Sequence, residues 1–137
     1  MLCQNIRKID RTVKIYISGW GGSPEFILNG GKSVEGVLFV QNIDYSNTHK
    51  EYIAFVEKYT QRFGFPPNHG AVFSYELSHI LIDALKGGAR TSGAIRRAII
   101  MHGKYAGLQY DFSIDRFGDG DRPYFLTVVN NGKFVRL

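Results

Sequence analysis

One cysteine, one tryptophan, two methionines and four prolines are all that these 137 residues hold of those types. A single Cys3 excludes an internal disulfide and any cysteine-built zinc cage. It fits any compartment, so it does not locate the protein. No apolar run approaches the roughly 18 residues that a membrane span needs. Met1-Leu2-Cys3-Gln4 leads into Arg7 and Lys8 with no apolar stretch between, so no secretory signal is visible. Neither sign of charge dominates: 17 Lys and Arg stand against 12 Asp and Glu, a net +5. A nucleic-acid binder concentrates such charge on one face. Here the dense groups are Arg7-Lys8-Arg11-Lys14 and Arg90-Arg96-Arg97, with the rest scattered. The basic residues read as solvated surface, and no nucleic acid is expected as a partner.

What is abundant points to a folded chain. Hydrophobic residues make up 44% and aromatic ones 14%, too many for general disorder. The length suits one domain or a piece of a larger one. Such a chain buries about two thirds of its unfolded surface.

Val13-Lys14-Ile15-Tyr16-Ile17 alternates as a short strand does and runs into the glycine-rich Ser18-Gly19-Trp20-Gly21-Gly22. Ser23 is placed to cap a helix with Pro24 at its first position and Glu25 in its first turn, ended by Gly30-Gly31. Val37 to Val40 reads as a second strand, so strand, short helix and strand form a small βαβ unit. Ser46 or Asn47 is expected to open a longer helix, with Tyr52, Phe55, Val56, Tyr59 and Phe63 on one face and Gly64 at its end. Phe65-Pro66-Pro67 is a rigid connection. Asn68 caps the next helix, which Gly87-Gly88 closes, and Ser92 caps a third that ends near Gly103. Leu108 to Ile114 reads as a strand followed by a loop over 115–121. Two further runs, Tyr124 to Val129 and Lys133 to Leu137, flank Asn130-Asn131-Gly132, a strong hairpin signal.

Few residues suggest chemistry. No pair among His49, His69, His79 and His102 has the HExxH spacing, and no cysteine joins them. Glu76, His79 and Asp83 share a helix but read as a surface polar stripe. Asp115, Asp119 and Asp121 sit in a glycine-bearing loop. Phe117 takes the alternate position that a calcium loop needs, and the distal Glu is missing, so the Asp side chains are expected to satisfy local backbone N–H groups. Gly19-Trp20-Gly21-Gly22 is neither a GxGxxG nor a Walker loop. It does place the only tryptophan at the carboxyl end of a strand, where open α/β sheets bind ligands; the other reading of Trp20 is a core-capping aromatic. No Ser, Cys or Thr has a neighbouring base that would make it a nucleophile, so no enzyme is expected.

Three ordered segments then point to a family. They are Gly19-Trp20 with Val34-Glu35-Gly36-Val37; Phe55 to Tyr59 with Phe63-Gly64-Phe65-Pro66-Pro67, Ala71, Tyr75-Glu76 and Ala84-Leu85; and Ile95 to Ala98 with Gly107-Leu108, Phe112, Asp115, Gly118-Asp119 and Gly132 to Val135. In this order the chain, from about residue 13 to 137, resembles the C-terminal part of type I periplasmic binding proteins. The nearest group is the branched-chain amino acid receptors of ABC importers. The resemblance implies an α/β fold class, a partial type I fold with βα units, three main helices and a C-terminal β-hairpin, as a fragment of a two-lobe protein. Residues 1–44 would be of second-lobe type, 45–122 would return to the first lobe, and 123–137 would cross back as the hairpin.

The function implied is binding of an amino acid or related small molecule for ABC-type import, by hinge closure of two lobes. The ligand-binding residues implied are Ser18, Gly19, Trp20, Gly21 and His69, with no catalytic residue, no metal and no cofactor. In family members an acid after a second-lobe strand meets the ligand's ammonium group. The matching loop here carries none, which suits a less cationic ligand. An ABC permease would be the partner of an importer, and the location would be periplasmic, with any signal preceding residue 1. Uncovered edges would make this chain a homo-oligomer. The residues leave three alternatives: the ligand-sensing ectodomain of a signalling receptor, a small basic nucleic-acid-binding protein resting on Arg90, Arg96 and Arg97, and an enzyme using Trp20 and His69.

Overall fold

A computed structural model describes residues 2–137. The chain divides into two compact units. The first runs to Thr48 and is rejoined by Tyr124–Leu137, and the second is His49–Pro123.

The first unit is a four-stranded sheet with helices. Helix α1 is Leu2–Ile9, strand β1 Tyr16–Ser18, helix α2 Pro24–Gly30 and strand β2 Leu38–Gln41. Strands β6 (Phe125–Asn130) and β7 (Lys133–Arg136) complete it in the order β1-β2-β6-β7. β1 and β2 are parallel, as a βαβ unit requires, and the other pairs are antiparallel. Period-two alternation sends Phe39 and Val129 to one face. There Cys3, Val34, Val37 and Phe134 join them in the core, with Phe26 and Ile27 packed on it. Phe39 is the hub, its ring edge-on to Phe26 at 5.2 Å and to Phe134 at 5.4 Å. The Asn-Gly turn is as expected, with Asn131 and Gly132 at φ of 51° and 68°. Both of their N–H groups donate to the Glu35 carboxylate.

The second unit carries α3 (Lys50–Phe63), α4 (His69–Lys86) and α5 (Ser92–His102). A small antiparallel sheet follows, of β3 (Lys104–Tyr105), β4 (Phe112–Ile114) and β5 (Gly120–Asp121). Gly64 ends α3 in the left-handed region, its N–H donating to the Thr60 carbonyl. Asn68 caps α4 through a bond from the Ala71 N–H.

Several boundaries differ from the sequence expectations. The α3 helix begins at Lys50 and not at Ser46 or Asn47, because Asp44 captures the Ser46 N–H and hydroxyl and holds a turn there. The α5 cap is Thr91, whose hydroxyl accepts from the Ala94 N–H, and Ser92 is the first helical residue. The strand expected over 108–114 is regular only from Phe112, because the Leu108 N–H is drawn to the Glu76 carboxylate. Helix α1 and strand β3 had no sequence expectation, and β5 forms at the end of the stretch 115–121 that was expected to be all loop, because Gly120 and Asp121 pair with β4.

Candidate functional site

Ser18, Gly19, Trp20 and Gly21 fall together on one loop at the carboxyl end of β1. Gly19–Gly21 form a single 3₁₀ turn, and Ser18 flanks it in extended conformation. Close packing explains the glycines. A Cβ on Gly19 would sit 2.6 Å from the Val40 carbonyl oxygen, and one on Gly22 would collide with the Gln41 amide at 1.7 Å.

The loop is tied down by two polar side chains of the same unit, one of them braced by a third. Gln41 Nε2 donates to the Gly22 carbonyl at 3.1 Å, and the Tyr45 hydroxyl donates to the same oxygen at 2.9 Å. Gln41 Oε1 accepts from the Thr127 hydroxyl at 2.8 Å. Gln41 is only 3% exposed, so these bonds satisfy an amide that would otherwise be buried at a cost. The sequence reading missed Gln41, Tyr45 and Thr127. The signal available was a lone amide ending the apolar run 37–40.

On this pinned backbone Trp20 stands 81% exposed. That removes the core-capping reading, since a capping ring would lose its surface to the core. The loop from Ser18 to Ser23 contains no carboxylate. The nearest acid in sequence is Glu25, whose pKa is held below its ordinary 4.5, chiefly by the Ser23 hydroxyl. Ser23 therefore starts α2 with its hydroxyl on Glu25 and not as a side-chain cap.

His69 lies in the second unit, as the first residue of α4. Its ring is half-buried and meets the Phe73 ring one turn on, edge to face at 6.3 Å.

The second unit has its own polar centre. Glu76 is buried; one carboxylate oxygen accepts from the Leu108 N–H at 2.8 Å, and the other pairs with Arg122 at 2.7 Å. The Arg122 guanidinium also lies over the rings of Phe112 and Phe73, at 3.7 and 4.7 Å from their centroids. With Glu76 so engaged and the His79 ring bonded to the Tyr75 carbonyl, these residues are not a ligand set. No cluster able to hold a metal occurs among the described residues. A cavity of about 590 Å³ in this unit is lined by Tyr75, His79, Asp83, His102 and Tyr105, among others. The Tyr105 hydroxyl donates to the Ile99 carbonyl, and burial raises its pKa. Asp115 accepts the N–H groups of Phe117, Gly118 and Asp119, as expected of a local turn and not of a calcium loop. No helix among the described residues is long and apolar enough to cross a membrane.

Comparison with known proteins now adds a fold. No family model and no curated protein matches the sequence. Solved structures do. One is a leucine-binding protein from Thermotoga maritima, 25% identical, with a TM-score of 0.84 over 99% of this chain and 39% of that one. Another is the substrate-binding protein of a branched-chain amino acid transporter from Streptococcus pneumoniae, in complex with isoleucine: 19% identity, TM-score 0.85, 99% and 41% covered. A third is an ABC-transporter solute-binding protein from R. palustris in complex with benzoate: 17% identity, TM-score 0.84, 99% and 38% covered. The chain thus spans about two fifths of the length of these proteins. They are solute-binding proteins and not enzymes, in keeping with the absence of a recognisable nucleophile in the sequence. Almost the whole of this chain is therefore built as a portion of the type I periplasmic-binding-protein fold, the fold of extracytoplasmic substrate-binding proteins of ABC transporters.

Proposed function

We propose that this chain is part of a solute-binding module for ABC-type import, located in the periplasm and delivering its ligand to a permease. Residues 1–44 and 123–137 are assigned to the second lobe of that module and 45–122 to the first. The ligand is a small carboxylate with an apolar or aromatic body, held by hinge closure of the complete fold. Ser18, Gly19, Trp20 and Gly21 form the ligand-facing loop, and His69 is a further contact.

The observation that carries this reading is Trp20. A large aromatic ring 81% exposed is costly to leave in water unless something covers it. Here its backbone is immobilised by Gln41, Tyr45 and the β2 strand. A rigid ring on a rigid loop offers a stacking face at little cost in conformational entropy. The absence of a carboxylate on the loop removes a partner for a cationic ligand group. Leucine, isoleucine and benzoate, named for the similar proteins, span the aliphatic and aromatic carboxylates to be tried.

Trp20 is the only tryptophan of these 137 residues, so in the complete fold, with any indole outside them replaced, intrinsic fluorescence reads the site directly. Titration with leucine, isoleucine and benzoate is expected to shift the emission to the blue and to protect it from iodide quenching. A ligand that raises the melting temperature without changing Trp20 emission would move the site elsewhere. No response to any of the three by either measurement would overturn the reading.

A further inference from the structure

The sequence contains two Asn-Gly bonds, Asn29-Gly30 and Asn131-Gly132. Asparagine is chemically labile, most of all before glycine, which has no side chain to shield its own nitrogen. That nitrogen attacks the asparagine side-chain carbonyl carbon. The N–Cγ bond forms, the Cγ–Nδ2 bond breaks, and ammonia leaves with the proton of the glycine N–H. Water then opens the cyclic imide at either carbonyl and leaves aspartate or isoaspartate. The two bonds are held differently. Asn29-Gly30 closes α2, where the Gly30 N–H points back along the helix. The Gln4 amide also donates to the Asn29 carbonyl at 3.3 Å. Asn131-Gly132 lies in the hairpin turn, and a single side chain holds it. The Asn131 N–H donates to Glu35 Oε2 at 2.9 Å, and the Gly132 N–H donates to Glu35 Oε1 at 2.7 Å. Glu35 is itself fixed beside β6. The Gly36 N–H donates to the Val129 carbonyl at 2.9 Å, and the Val129 N–H donates to the Val37 carbonyl at 3.0 Å. All of these bonds lie within the first unit.

We propose that Asn131 is a deamidation site and that the Glu35 carboxylate guards it. Two effects act on the attacking nitrogen. To reach Asn131 Cγ, the Gly132 nitrogen must leave Glu35, so ring closure gives up a charge-assisted hydrogen bond. The attacking form is also the deprotonated nitrogen, and a carboxylate beside it opposes the loss of that proton. Failure of the guard would reach beyond the turn. Either product sets a second carboxylate against Glu35. Isoaspartate also adds a carbon to the main chain of the turn that fixes the β6–β7 register. That register places Phe134 opposite Val129, in the core beside Phe39. Phe134 in turn stacks on Tyr45 at 5.1 Å, and the Tyr45 hydroxyl holds the loop of Trp20. The guard is independent of any ligand, because every group in it belongs to the hairpin and the strand beside it.

The test is peptide mapping by mass spectrometry of the complete fold, aged in mildly alkaline buffer, with Asn29 as an internal clock. Folded wild-type protein is expected to deamidate Asn131 at least about tenfold more slowly than the same protein in urea, a factor that one hydrogen bond to a charged group supplies. Glu35→Gln keeps the size of the side chain but removes its charge and one of its two acceptor oxygens. It is expected to raise the Asn131 rate in the folded protein at least about threefold and to leave Asn29 unchanged. Glu35→Asp keeps the charge but is one methylene shorter, so it is expected to give a smaller rise. Circular dichroism checks that the variants fold, and Glu35→Asp keeps the test valid if Glu35→Gln does not. A folded wild-type rate equal to that in urea overturns the proposal. So does an Asn131 rate indifferent to both variants, or a rise that Asn29 shares equally, the mark of general loosening. A slower rate in Glu35→Gln would make the carboxylate a base that promotes the reaction, and overturns it too.

Discussion

Each unit fixes one buried stretch of backbone, and the two do so by opposite electrical means. In the first, a neutral set of Gln41, Tyr45 and Thr127 fixes the turn that bears Trp20. In the second, a charged pair of Glu76 and Arg122 fixes the backbone at Leu108, with the guanidinium between two aromatic rings. A neutral amide satisfies its neighbours with no net charge to desolvate. A buried ion pair depends on both partners being present, and losing one strands the other. The difference teaches that the backbone bearing Trp20 is held without a buried charge, whereas the backbone at Leu108 depends on one.

The comparison breaks first, and most severely, at the ion pair. Glu76→Ala leaves the Arg122 charge without its partner and is expected to cost about 3–5 kcal/mol of stability in urea denaturation. Pairing it with Arg122→Leu should recover part of that loss, since the uncompensated charge goes too. Full additivity of the two losses would contradict the coupling. Gln41→Ala removes one partner each from the Gly22 carbonyl and the Thr127 hydroxyl. An expected loss of about 1–3 kcal/mol distinguishes it from the ionic case. Gly19→Ala forces the loop away from the Val40 carbonyl and is expected to cost about 1–3 kcal/mol by overpacking, while changing the quenching of Trp20. Trp20→Ala, by contrast, should change stability by no more than about 0.5 kcal/mol, because the ring is already in water. Abolished ligand binding at undiminished stability is the expected outcome, measured by calorimetry beside the melting curve.

The smallest effect is electrostatic and local. Asp115 has its pKa held below the ordinary 3.8, chiefly by the Asp119 N–H and further by those of Phe117 and Gly118. A depressed folded pKa means that the contribution is fully present above the unfolded value and is lost as pH falls through the folded one. Carbon-detected titration should therefore show Asp115 still ionised where a free aspartate is half protonated, with the 115–119 turn loosening only below that.

Local chemistry made much of this fold readable in advance. Asn68 before His69 and Gly64 at the end of an aromatic stripe satisfy backbone groups within a few residues, Pro24 presets the φ of a first helical turn, and Asn131-Gly132 supplies the positive φ of its turn. Such signals do not depend on the rest of the chain. The boundaries that differed did so because a partner intervened. Asp44 captured Ser46 nearby in sequence, whereas Glu76 reached 32 residues to Leu108. The glycine loop and Trp20 were likewise visible as a motif. What holds that loop was not, because the Gln41–Thr127 bond joins residues 86 apart.

The order of residues alone thus determined helices α2 to α5, the hairpin, the parallel β1–β2 unit and the placing of the sole indole after a strand. These follow from propensity and capping, which act over a few residues. Tertiary structure alone decided that the indole faces solvent and not the core, and that a buried amide anchors its loop. Those outcomes depend on which distant side chains compete for the same buried space and the same hydrogen bonds, and no local pattern encodes that competition.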